Sequence, residues 1–161
     1  MTDKITNPEI LVKKAKDILK NVTPLKSDCG KMCGKLCCKG PDEKGMRLFP
    51  GEKIPDNKFK IIGNTVFCGG NCERADRPLS CMIFPFFPVI TEKNADIRFD
   101  LRAYSICLLV NGFIKPDRKF VRAVFRAEKY LFQSPEIKKF IDETNEEIDD
   151  AEKLTELLFG K

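Results

Sequence analysis

Eight cysteines and no histidine, in a chain of 161 residues, constrain this sequence more than any other property it has. Four of them, Cys29, Cys33, Cys37 and Cys38, fall in the stretch SDCGKMCGKLCCKG (27–40), whose C-G-K-x block almost repeats at a step of four. Without imidazole, a soft-metal site has to be made mostly of thiolates, which select zinc, Cu(I) or iron–sulfur clusters. Ser–His–Asp and Cys–His catalysis are excluded for the same reason. The N-terminal MTDKITNPEILVKKAKDILKN carries acids from Asp3 onward and has no unbroken apolar run, so it is not built like a secretory signal. The most apolar stretch, CMIFPFFPVI (81–90), is too short to span a bilayer and is interrupted by Pro85 and Pro88. A cytoplasmic protein with no membrane partner is the expectation. In a reducing compartment, clustered cysteines read as metal ligands or redox thiols rather than as disulfides.

A hydrophobic content of 42% with 33% charged residues belongs to a folded globular chain, and the length suits a single domain, 1–161. Within it we expect a cysteine-cluster core over 25–113 and a C-terminal helical extension over 114–161. Asn7-Pro8-Glu9 reads as a helix start, with Leu11, Ala15, Ile18 and Val22 at helical spacing, so a helix is expected over 8–21 with a lysine-rich outer face. FKIIGNTVF (59–67) and IRFDLRAYSI (97–106) have the branched and aromatic content of strands. After Pro116, the residues Phe120, Val121, Val124, Phe125, Leu131 and Phe132 mark one helical face. Ser134-Pro135-Glu136 caps a second helix bearing Ile137, Ile141, Ile148 and Leu158. The acidic run DETNEEIDDAE (142–152) lacks EF-hand spacing and reads as a solvated helix face, available to the basic N-terminal helix. The fold class is therefore α+β: a small loop-rich core with short strands, flanked by an N-terminal helix and two C-terminal helices.

The net charge of +5 would fall to about +1 if eight thiolates held two zinc ions or two [4Fe–4S] clusters, so part of the lysine excess balances such centres. There is no basic stripe with aromatic stacking platforms, and hence no clear nucleic-acid partner. A protein partner is open but leaves no readable trace.

On a straight helix Cys29, Cys33 and Cys37 would share a face, yet Cys29 and Cys37 would lie about 12 Å apart, whereas sulfurs around one zinc are separated by about 3.8 Å. The segment must bend. Gly30 and Gly34 allow positive-φ turns, which favours a loop wrapped around a centre, with a broken helix feeding two nearby centres as the alternative. A second group, FCGGNCERADRPLSC, supplies Cys68, Cys72 and Cys81, with backbone N–H groups free to bond sulfur and with Arg74 and Arg77 to assist electrostatically. Cys107, in the apolar SICLLVNG, reads equally as a small core residue or as a further ligand. FPFFP (84–88) reads as packing over the cysteine site, its prolines fixing an extended path.

Taken together, Cys29/Cys33/Cys37/Cys38, Cys72 and DRPLSCMIFPF (76–86) resemble the YkgJ-type cysteine-cluster family of zinc- or iron-chelating proteins. Its C-x-x-C-x-x-C-C signature is followed by a later cysteine, Arg-Pro, two residues, Cys and a short Phe-Pro-Phe segment. Here these are Cys72, Arg77-Pro78, Cys81 and Phe84-Pro85-Phe86, over roughly residues 29–86. The spacing departs from the signature, x3 and x3 rather than x2 and x2, and Met82 stands where arginine is common, which leaves the ligand set open. The resemblance implies metal chelation by Cys29, Cys33, Cys37, Cys38, Cys68, Cys72 and Cys81, with Cys107 as an eighth candidate and Arg77 beside the cofactor. An iron–sulfur cluster is preferred over zinc, because the resemblance and the lack of compact C-x2-C knuckles lean that way. Such a centre would make the protein a redox or structural module. Some relatives are flagellin lysine N-methylases, although nothing in this sequence marks a methyl-donor site. The rival from a different class is a thiol-based redox enzyme or sensor, in which Cys37-Cys38, near Lys35 and Lys39, holds a reactive thiolate.

Overall fold

The two ends of the chain meet in one apolar layer. Helix α1, Pro8–Leu19, starts at its cap: the Asn7 side chain accepts the Glu9 N–H at 2.9 Å, and Pro8 sits in the first turn, where it forfeits no hydrogen bond. Its buried stripe is Leu11, Val12, Ala15 and Leu19, while Ile18 and Val22 lie at the edge of the core. This stripe packs along α4, Arg118–Leu131, whose Ala123 and Ala127 allow close approach between Phe120, Val124 and Leu131. Helix α4 is capped by Asp117, which accepts the Lys119 N–H at 2.7 Å. The computed structural model describes residues 6–40, 43–92 and 94–160.

Helix α5, Pro135–Phe159, begins at Ser134, whose hydroxyl accepts the Ile137 N–H at 3.3 Å. Ile137, Phe140, Ile141 and Ile148 bury its inner face. Two side chains expected on buried faces lie outside: Phe125 is 37% exposed and Leu158 is 66% exposed, because α4 turns Phe125 away from α1 and the last turns of α5 run past the core. The acids of α5 reach arginines of the central segment rather than the lysines of α1. Arg47 and Arg102 pair with Glu147, and Arg98 pairs with Asp149 and Glu152.

Between these helices lie two small antiparallel sheets and a short helix. The expected strand over 59–67 is a hairpin, β2 (Lys60–Ile62) and β3 (Thr65–Phe67), turned at Gly63 in a left-handed conformation; β1 (Met46–Arg47) pairs with the other edge of β3, giving the order β1-β3-β2. The second sheet pairs β4, Phe86–Ile90, with β5, Ala95–Phe99, and brings Phe86 opposite Phe99 with ring centroids 4.7 Å apart. The strand expected over 97–106 ends at Phe99, because Asp100 caps a 3-10 turn over Leu101–Ala103 and holds the Arg102 guanidinium. Helix α3, Leu79–Ile83, is too short and too close to Pro78 to show in the sequence pattern. It rests on the buried carboxylate of Glu52, which accepts Leu79 N–H at 2.6 Å, Phe49 N–H at 3.1 Å and Lys16 Nζ–H at 3.3 Å. The architecture is thus α+β, an N-terminal helix, short strands in two small sheets and two C-terminal helices. Among the described residues, no helix is long and apolar enough to cross a membrane.

A further buried acid lies on α4. Glu128 of α4 is 1% exposed and neither of its carboxyl oxygens has a hydrogen-bond partner among the described residues. Burial, reinforced by the Asp96 charge and opposed by Lys129, raises its pKa to about 8. The folded chain therefore keeps this proton where the unfolded chain has lost it. Stability should fall as pH rises from about 4.5 to about 8 and then level off, a loss on the order of a few kcal/mol. Chemical denaturation across that range should show the decline, and Glu128→Gln should flatten it; an unchanged slope in the variant would assign the pH dependence elsewhere.

Candidate functional site

Residues 27–40 form a broken helix rather than the expected wrapped loop. Cys29 precedes α2, Gly30–Cys33, and the Asp28 carboxylate accepts the Gly30 N–H at 3.0 Å. Gly34 and Lys35 then both adopt left-handed backbone, with φ of 61° and 58°, and a 3-10 segment follows over Leu36–Lys39. The second of these conformations costs a lysine about 1–2 kcal/mol. It is offset by the side chain, whose Nζ donates to Gly70 O at 2.9 Å and to Asn71 Oδ1 at 3.4 Å, tying the break to the second cysteine segment. Of the two glycines expected to supply turns, only Gly34 does so. Gly30 is helical and buried, and a Cβ there would meet Lys35 Cγ at 2.9 Å.

The second segment leaves β3 at Cys68, whose sulfur accepts the Gly70 N–H at 3.3 Å. It passes Cys72, makes a 3-10 turn over Arg74–Asp76, and enters α3, which carries Cys81. Cys107 follows the 3-10 turn after β5 and is buried in a small apolar cluster with Ala103, Leu109 and Val110. All eight cysteines are brought to two adjoining cavities. The larger, about 230 Å³, is walled by Cys29, Cys37, Cys38, Cys68, Cys72 and Cys81. The smaller, about 80 Å³, is walled by Cys29, Cys33, Cys37, Cys81 and Cys107. Arg77 and Phe84 belong to both walls, and Arg74 only to the smaller cavity. Phe86 and Phe87 of the FPFFP segment turn instead into the main core, so only its first phenylalanine covers the thiols. The thiols line these cavities without converging: among the described residues, no group of three or more cysteine, aspartate or glutamate side chains is disposed to hold a metal ion.

The electrostatics are those of crowded thiols. The Cys37 thiol donates a hydrogen bond to Cys38; this, with burial, drives Cys37 far up. The same bond, helped by the charges of Arg77 and Lys35 and opposed by burial, pushes Cys38 down to about 6. Burial pushes Cys81 up, aided by the charges of Cys72, Cys38, Glu52 and Cys68. Burial likewise raises Cys29, with Cys33, Cys107 and Asp28 adding to it. Cys68 and Cys107 are also raised by burial, against N–H donors at Gly70 and at Val110 and Leu109 respectively. Arg77 resists the opposite pull of burial because the Cys72 thiol and the charges of Cys72, Cys38 and Cys81 hold it protonated.

These residues fit a thiolate-held cation in two respects. Ionising so many neighbouring thiols is unfavourable without a positive centre among them, and a soft metal supplies one. Moreover, Nε of both Arg74 and Arg77 is buried and, among the described residues, has no hydrogen-bond partner, leaving two donors available to thiolate or sulfide acceptors. The residue that sequence reasoning missed is Glu52, which positions Cys81 through α3; its only signal is an acid directly after the Pro50-Gly51 turn. No family model, curated protein or solved structure matches this chain.

The thiol with the lowered pKa should be the most reactive in the metal-free chain. Alkylation by iodoacetamide, followed by mass spectrometry across pH 5–9, should modify Cys38 first, with its rate rising through a midpoint near 6, and Cys81 only slowly. Equal labelling of both at pH 7 would contradict this ordering.

Proposed function

We propose that the protein is a thiolate metal-chelating module, binding an iron–sulfur cluster in preference to zinc, and acting in the cytoplasm as a redox or structural component. The observation that carries this reading is that eight cysteines from well-separated stretches of sequence, the segment of Cys29 to Cys38, that of Cys68 to Cys81, and Cys107, line two adjoining cavities with two half-buried arginines whose Nε atoms are buried. The likeness of the cysteine pattern to the YkgJ-type family supports the same chemistry. Cys29, Cys33, Cys37, Cys38, Cys68, Cys72, Cys81 and Cys107 are the candidate ligands, and Arg77 would neutralise charge and donate to sulfur. Each thiol that ligates must lose its proton, so affinity should weaken as pH falls.

A second reading, a thiol redox sensor, is favoured by the hydrogen bond from Cys37 to Cys38 and by the placement of Arg77 and Lys35 near the latter. Anaerobic purification of the full chain separates the two. Broad visible absorption with iron and acid-labile sulfide is the expected result, and a colourless protein holding zinc would assign the structural form of the same module. A metal-free, folded protein in which peroxide selectively joins Cys38 to a neighbouring thiol would overturn chelation in favour of the sensor.

A further inference from the structure

We infer that the outer face of α4, with the exposed Phe113 just before it, is a docking surface for an anionic phospholipid bilayer. It shares no residue with the walls of the thiol cavities and works whether or not the thiols hold metal. This departs from the expectation of no membrane partner: the contact is with the bilayer surface, through side chains that the sequence scatters.

Arg118, Lys119, Arg122, Arg126 and Lys129 are all exposed on α4. Phe120, Val121, Ala123, Val124 and Ala127 separate them in sequence, which hides the stripe; the helix gathers it. At about 100° per residue, Arg118, Arg122, Arg126 and Lys129 fall within an arc of about 80°, along about 17 Å of axis. Among the described residues none of these cations forms an ion pair, and the acid of α4, Glu128, is buried. Arg118 with Arg122, and Arg122 with Arg126, are like-charge neighbours at i, i+4, which weakens a helix. Helix α5 instead sets Lys139 against Glu143 and Lys153 against Asp150. The chain's other arginines are engaged within it, Arg47, Arg98 and Arg102 in ion pairs and Arg74 and Arg77 at the thiols. Guanidiniums left unpaired on one face suit phosphate, which they bind in bidentate fashion. Helix α1 widens the face with exposed Lys13 and Lys20, Asp17 between them, and Lys14 Nζ lies 5.6 Å from the centre of the Tyr130 ring of α4.

Phe113 singles out a bilayer among polyphosphates. It is 82% exposed on the loop that leads into α4, and it is held there: its N–H donates to Asn111 Oδ1 at 3.3 Å, after Gly112 in left-handed backbone. Ile114 N–H donates to Leu108 O at 3.0 Å and closes the base of the loop. Phe125, 37% exposed, flanks the stripe, with Lys129 Nζ 5.7 Å from its ring centre. Exposed phenyl groups beside cations match the surface of a bilayer, where headgroup phosphates meet the cations and the ring enters the acyl boundary. Single-stranded nucleic acid is bound along grooves with open aromatic platforms, whereas this stripe is the outer ridge of a helix and Phe125 is already covered by a cation. Unless its bases are unstacked, a duplex offers Phe113 no apolar layer.

Co-sedimentation of the full-length chain with vesicles is the test. Vesicles of phosphatidylcholine mixed with phosphatidylserine should bring the protein down at low salt, and high salt should release most of it. Each cation removed from the face should weaken binding about fivefold, so Arg122→Gln/Arg126→Gln should weaken it about twenty-five-fold. Phe113→Ala should weaken it several-fold at either salt. Lys139→Gln/Lys153→Gln removes the same charge from α5 and should weaken it no more than about twofold. All of these positions are exposed, so circular dichroism should be unchanged in each variant. Equal losses from the α4 and α5 pairs would reduce the effect to net charge and overturn the assignment. So would equal binding to phosphatidylcholine alone, or no binding to the mixed vesicles at low salt. A wild type that ignores the mixed vesicles but binds a single- or double-stranded oligonucleotide, with loss in the α4 pair, would overturn the bilayer in favour of nucleic acid.

Discussion

Apolar contact between α1 and α4 joins residues 8–19 to residues 118–131, and everything between them is suspended from that contact. Leu11, Val12 and Leu19 are fully or almost fully buried there, each contributing about 1.5–3 kcal/mol relative to exposure. From the cysteine-bearing stretch, Phe49, Leu79, Met82 and Ile83 reach into this core, but the segments that carry most of the thiols have little apolar packing of their own. Its strands are short, and its own apolar cluster around Ala103, Leu109 and Val110 is small. The stretch is therefore held at its margins, by α1 on one side and by β4, β5 and α4 on the other, while its interior is organised by polar groups and thiols.

Three side chains carry the order of the helical frame into that interior. Glu52 binds α1 through Lys16 and α3 through the Leu79 N–H, and so fixes the helix on which Cys81 rides. Lys35 bridges the broken helix to Gly70 and Asn71, joining the first cysteine group to the second. Arg77 stands between the two cavities with part of its hydrogen-bonding capacity unused. Burial raises several of the thiols, and the two arginines oppose each other, so the region by itself is electrostatically costly. A positive charge placed among them would offset that cost.

The helices at both ends were legible because their signals are local: Asn7 and Ser134 cap through their own side chains, and Pro8 and Pro135 sit where a missing N–H does no harm. The residues of the candidate site were legible as well, since cysteine in such numbers without histidine narrows the chemistry. How the fold sets them around the two cavities was not. That depends on Lys35 adopting a left-handed backbone, which its sequence disfavours and a partner 35 residues away, Gly70, offsets. Cys107 reads as core on its own, and only the fold brings it beside Cys33. Phe125 and Leu158 share the spacing of their buried neighbours, but α4 and α5 are not covered on those faces. Glu128 shows the opposite failure, an acid at a helical step from Val124 and Leu131 that the core encloses.

The pairing of α1 with α4 also sets an order of events at birth. The first thiol, Cys29, leaves the ribosome about a hundred residues before Leu131 completes the surface on which α1 docks, an interval of roughly 5–20 s at ordinary rates of synthesis. Throughout that interval the cysteines are tethered to an unpartnered helix and lack the walls that later gather them. Their final environment is assembled only after α4 has been made, so the walls of both cavities form late relative to the first thiols they enclose.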